Sequence, residues 1–88
     1  MSARAIVLIN VELGCEADVL KAIRKVEGVD EALAVYGVYD VVARIKADTL
    51  DNLNQIVALH IRKLEYVKST STLIVIEESS LGMDWIRT

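Results

Sequence analysis

Along residues 4–13 the apolar positions fall on both sides of an extended chain, with Ala5, Val7, Ile9 and Val11 on one face and Ile6 and Leu8 on the other. A strand of this kind needs cover on both faces. Gly14 breaks the run, and Glu16 and Asp18 place negative charge in the first turn of a helix predicted over residues 15–27. Val19, Ile23 and Val26 form its apolar stripe, and Gly28 stops it. Two further runs, 29–36 and 38–47, read as the arms of a β-hairpin that reverses at Gly37. Asp48 or Thr49 then caps a second helix running to about Leu64, with Leu50, Leu53, Val57, Ile61 and Leu64 on one side and Leu59 off the stripe. The last predicted strand covers about residues 66–77, hydroxyl-rich at 69–72 and aliphatic at 73–76.

The order is β-α-β-β-α-β. Two strand-helix-strand crossovers flanking a hairpin give, under right-handed connection, an α+β, ferredoxin-like fold: a four-stranded antiparallel sheet with both helices on one face. No helix remains for the other face, toward which Ile6, Leu8 and Val42 should point. Two such sheets packed face to face solve the problem, which predicts a dimeric α+β barrel.

Composition strengthens that expectation. With 88 residues the chain is one domain, and a domain of this size buries only about 60% of the surface its unfolded chain exposes. Yet 53% of it is hydrophobic, more than so small a core requires, so part of the apolar surface is expected to face other subunits. The domain is read as residues 1–77. A tail at 78–88 contains Leu81, Met83 and Trp85, and either hangs loose or docks on a neighbouring subunit.

Charge and chemistry narrow the function. No apolar run approaches the roughly 20 residues of a membrane span, and no signal peptide is recognisable, so a cytoplasmic protein is expected. Net charge is −3 and the ten basic residues are scattered, which argues against direct binding of nucleic acid. Cys15 is the single cysteine, so neither an intrachain disulfide nor a cysteine-cluster metal site is available. It is read as a helix-start residue; a low-pKa thiol there would lack a partner to give it a task. His60, the single histidine, lies beside the stripe of the second helix, where a partly buried, hydrogen-bonded role in the core or at an interface is expected in place of proton transfer. No nucleophile–base pair, phosphate loop or ligand-spaced metal cluster accompanies it, so the chain is read as no enzyme, and no cofactor is expected.

Ligand-competent groups gather instead at Tyr36-Gly37-Val38-Tyr39-Asp40. Gly37 would supply positive φ, or room for a close approach that leaves backbone N–H and C=O groups free to meet a small zwitterion. Asp40 can attract an ammonium, while Tyr36 and Tyr39 can wall an apolar side chain or donate hydroxyl hydrogen bonds. The competing reading is an ordinary hairpin in which glycine turns the chain, the tyrosines pack and Asp40 satisfies backbone donors.

The run 35–41, the following Asp48-Thr49-Leu50 with Leu53, and Thr70-Ser71-Thr72 resemble the effector-binding domain of the Lrp/AsnC transcription regulators, termed RAM for regulation of amino acid metabolism. The likeness covers about residues 4–77, and the Gly-x-Tyr-Asp motif followed by a Thr-Ser-Thr strand is its more specific part. It implies an amino acid effector bound at contacts between dimers, with sheet-to-sheet dimers assembling into rings that are often octameric. It also implies ligand contacts from Gly37, Val38, Tyr39 and Asp40 at the turn, and more weakly from Thr70, Ser71 and Thr72, supplied by a neighbouring subunit. Regulators of this family carry a helix-turn-helix module that the sequence lacks, so a RAM module acting without its own DNA-binding half is expected. Gly14 occupies the place where ACT domains bind amino acids, but is read as a plain strand-to-helix turn. Two other functions stand beside amino-acid binding: a structural subunit co-assembling with a full-length Lrp/AsnC regulator, and a ferredoxin-like, cofactor-independent oxygenase.

Overall fold

The computed structural model of the chain describes residues 2–76. Glu77 of the expected last strand and the tail at 78–88 lie outside the described residues. The elements follow the predicted order: β1 (Ala3–Val11), α1 (Glu16–Ile23), β2 (Val29–Ala34), β3 (Val41–Ala47), α2 (Leu50–Gln55) continuing into a π-helical stretch (Ile56–Ile61), and β4 (Val67–Ile74). The four strands form one antiparallel sheet in the order β2-β3-β1-β4, as expected for the ferredoxin-like fold.

Alternation in β1 decides where the core lies. Ala5, Val7, Ile9 and Val11 are buried, together with Val41, Ala43 and Ile45 of β3 and Ala32 of β2. Val19 and Ile23 of α1 and Leu53, Val57 and Ile61 from the second helix close over them. The two helices thus cover one face of the sheet.

Several boundaries differ from the sequence expectation. The first helix ends at Ile23, because Lys25 and Val26 donate to Ala22 and Ile23 in tighter i→i+3 turns at 3.1 and 3.0 Å. Gly28, at φ +99°, then redirects the chain into β2, so it ends the connection and not the helix. β1 stops at Val11, leaving Leu13 outside the strand and exposed. The hairpin arms stop at Ala34 and resume at Val41, so its tip is a longer loop than a reversal at Gly37 alone.

The second helix starts where predicted: Thr49 Oγ1 accepts the Asn52 N–H at 3.1 Å, a side-chain N-cap. Leu50 is exposed, not part of the buried stripe. Beyond Gln55 the helix widens, with the Arg62 N–H bonded to Val57 O at 2.8 Å, five residues back. Leu53, Val57 and Ile61 repeat at spacings of four, which overrun the α-helical turn of about 3.6 residues. The wider π turn keeps all three over the sheet.

Candidate functional site

Cross-strand register defines the uncovered face of the sheet. Leu33, Val42, Leu8 and Ser71 follow one another across β2, β3, β1 and β4, and Glu31, Arg44, Ile6 and Leu73 form the adjacent row. Leu33 and Leu73, on the edge strands, are each 49% exposed. Arg44 pairs with Glu31 at 3.6 Å, and Asn10 Nδ2 donates to Ser69 Oγ at 3.2 Å, so polar contacts flank an apolar middle. No element among the described residues covers this face.

The β2–β3 loop rises from one end of that sheet. Val35 N–H bonds to Asp40 O at 2.9 Å and closes the loop; Asp40 N–H bonds in turn to Ile9 O at 2.9 Å. One carboxylate oxygen of Asp40, Oδ2, accepts the Val11 N–H at 2.9 Å. Asp40 therefore joins the loop to the end of β1 through both its backbone and its side chain. Beyond this closure Tyr36 and Val38 stand fully outward, 107% and 86% exposed, while Tyr39 and Asp40 are half-buried. The backbone N–H and C=O groups of Tyr36, Gly37, Val38 and Tyr39 make no hydrogen bond among the described residues.

Gly37 departs from one expectation and keeps the other open. Its φ is not in the left-handed region, so the turn does not demand glycine on conformational grounds. A Cβ built there would meet nothing within 4 Å, so the surroundings are open to a visiting molecule.

The hydroxyl strand is not brought to the loop within one chain. Val41, Ile9 and Thr70 are successive partners across β3, β1 and β4, so Thr70 stands two strand spacings, roughly 10 Å, from the foot of the loop. Thr70 and Thr72 share the face of Ile9 and Val7, whereas Ser71 lies beside Leu8 on the uncovered face. All three are half-buried.

Other candidates change character. His60 is exposed and so takes no part in the core, one of the two roles expected for it, because it follows Leu59 on the outer side of the π-helical stretch. Cys15 stands at the start of α1 as predicted, and its thiol is pushed up: desolvation leads, and the negative charges of Asp18, Glu12, Glu16 and Glu65 add to it. Its Sγ lies 3.9 Å from Leu13 O. Gly14, at φ +82°, makes the strand-to-helix turn as predicted. Sequence reasoning missed a groove of about 790 Å³ at the far end of the sheet, lined among others by Lys25, Gly28, Lys46, Asn52, Leu59 and His60. Its walls come from segments distant in sequence, and no local motif announces it. Among the described residues no helix is long and apolar enough to cross a membrane, and no group of His, Cys, Asp or Glu is arranged to hold a metal ion.

This fold, with its open sheet face and exposed loop, is that of a small-molecule-binding module from a regulatory family. The model of the Lrp/AsnC ligand binding domain matches residues 4–83, and the chain belongs to that family. Among solved structures, the hypothetical protein PHS023 from Pyrococcus horikoshii is 36% identical, with 89% of this chain and 93% of that chain covered and a TM-score of 0.79. TTHA0845 from Thermus thermophilus is 30% identical, with 88% and 96% covered and a TM-score of 0.83. The transcriptional regulator NMB0573 from Neisseria meningitidis, solved as an L-Met complex, shares the fold at 16% identity and a TM-score of 0.78, with 96% of this chain and 58% of that chain covered. No curated protein matches the chain.

Proposed function

We propose that this protein is a cytoplasmic amino-acid-binding module that pairs through its uncovered sheet face, assembles further into a homo-oligomer, and changes that assembly when effector binds. It thereby modulates transcription or amino acid metabolism. The carrying observation is the juxtaposition of an apolar row, Leu33-Val42-Leu8, with a loop whose main-chain groups at 36–39 have no hydrogen-bond partner among the described residues. An apolar sheet face is satisfied by a second copy, and a loop beside such a seam offers donors and acceptors to a zwitterion.

The binding residues in this reading are Tyr36, Gly37, Val38, Tyr39 and Asp40 of one copy and Thr70, Ser71 and Thr72 of a neighbouring one. Two observations support a composite site: in one chain the two groups lie on opposite sides of β1, and Ser71 faces the surface where a second copy would sit. The L-Met complex of NMB0573 supports an amino acid as the ligand class. A ligand held between copies favours whichever arrangement makes the better pocket, and that differential affinity is the coupling.

Isothermal titration of the assembled protein with each of the twenty amino acids tests the reading. Saturable heat with at least one is expected; no heat with any overturns it.

A further inference from the structure

Independently of amino-acid binding, we propose that the chain's own residues 77–88 occupy the groove between the end of α1 and the second helix, with the Trp85 indole seated against Leu59. The point of departure and the reach of the segment support this. Val75 N–H bonds to Arg4 O at 2.9 Å, and Arg4 is the register partner of Lys46, which lines the groove. The chain thus leaves β4 at the groove's own end of the sheet, two strand spacings or roughly 10 Å from Lys46. Trp85 lies nine residues beyond Ile76, an extended reach of up to about 30 Å. A path over the start of the second helix, a body about 10–12 Å across, stays inside that reach.

The chemistry of the groove matches that of the segment. Val26 from one wall and Ile56 from the other are half-buried, and Leu59, on the same wall as Ile56, is 50% exposed. Covering aliphatic surface of this kind is favourable, and residues 77–88 supply Leu81, Met83, Trp85 and Ile86 to do it. An indole offers the most contact area among these, about 150–250 Å² when buried, yet keeps an N–H that needs an acceptor. Asn52 and Gln55 line the same groove, and neither side-chain oxygen accepts a hydrogen bond among the described residues. The groove sets Lys25 and Lys46 against Glu27 and Asp48, none of them in an ion pair among the described residues. The segment sets Glu77, Glu78 and Asp84 against Arg87, so each side meets charges of both signs. Ion pairs at a wet rim add little, and the indole supplies most of the affinity.

Trp85 is the single tryptophan, so the fluorescence of the full chain reports on it alone. Emission of the wild type is expected to be blue-shifted from that of N-acetyltryptophanamide, with acrylamide quenching several-fold weaker. Leu59→Lys puts a charge on the groove wall at a half-exposed position outside the core and should return both readouts to those of the free indole, with far-UV circular dichroism unchanged. Leu8→Glu, on the uncovered sheet face, should leave the blue shift in place, because the groove belongs to the same chain. Wild-type emission equal to that of N-acetyltryptophanamide overturns the proposal, as does a blue shift that survives Leu59→Lys. A blue shift lost in Leu8→Glu overturns it in favour of docking on a partner copy. Should Leu59→Lys fail to fold, nuclear Overhauser contacts in the wild type decide: contacts between the Trp85 indole and the methyl groups of Leu59 or Ile56 support the proposal, and their absence overturns it.

Discussion

Gly28 and Ile56 pack so closely that a Cβ on the glycine would lie 2.7 Å from Ile56 Cδ1 and 3.1 Å from the carbonyl oxygen of Lys46. The same carbonyl-bearing residue is tied back, its N–H donating to Gly28 O at 2.8 Å. With φ at +99°, Gly28 is the point where the end of α1, the start of β2 and the second helix are locked together.

Gly28→Ala should therefore cost about 1–3 kcal/mol, combining left-handed backbone strain with a contact that only Ile56 can relieve by rotating. Urea unfolding measures it as a lower midpoint at unchanged slope. Gly37→Ala is the control: with non-left-handed φ and nothing within 4 Å, it should leave stability within about 0.5 kcal/mol of the wild type.

Thr49 caps the second helix by accepting the Asn52 N–H at 3.1 Å. Thr49→Ala should destabilise the fold by about 1 kcal/mol, whereas Thr49→Ser, which keeps the acceptor, should recover most of that. Thermal unfolding of the three proteins side by side checks the order; equal melting temperatures for alanine and serine would remove the cap from the account.

The parts of the fold legible in the sequence were those written in local periodicity. Alternation set Ala5, Val7, Ile9 and Val11 on one face of β1 against Ile6 and Leu8 on the other, and the first four are the ones buried, while the spacing of Leu53, Val57 and Ile61 gave the stripe of the second helix that packs over them. Periodicity could not show that spacings of four would widen the helix into a π turn, nor that i→i+3 bonds would end α1 at Ile23. The candidate loop was legible as a place in the fold, between β2 and β3. The Val11–Asp40 bond spans 29 residues and depends on the register of β1 against β3, so no local pattern reveals it. For the same reason the sequence read Gly37 as a candidate conformational requirement, when the left-handed glycines flank α1 at Gly14 and Gly28.

Cys15 gives a pH-dependent prediction. Its thiol is raised above the ordinary value of 9.0, by desolvation first and then by the carboxylates of Asp18, Glu12, Glu16 and Glu65. The protonated thiol is the form the fold favours, so any stability it contributes is present below the unfolded-state value and is lost as pH rises through the higher folded one. The rate of alkylation by iodoacetamide, followed against pH in the native protein, should reach half its plateau above pH 9.0. A midpoint below that value would show that the helix start outweighs the surrounding negative charge.

Leu8 is the sharpest probe of the uncovered sheet face, since it stands between Val42 and Ser71 in the middle of the apolar row and does not belong to the buried core. Leu8→Glu should leave circular dichroism unchanged, because the core between sheet and helices is untouched. In a sheet-to-sheet pair, however, the carboxylate would be taken out of water without a partner, a cost of several kcal/mol that a small interface cannot absorb. Sedimentation velocity at micromolar concentration should then show the wild type as a dimer or larger and Leu8→Glu as a monomer. Gln55→Glu, exposed on the second helix and so on the opposite side of the sheet from that row, separates a general effect of added negative charge from loss of the interface, and is expected to remain assembled. A wild type that sediments as a folded monomer would place the apolar row outside any self-interface, and the composite site proposed from two copies would go with it.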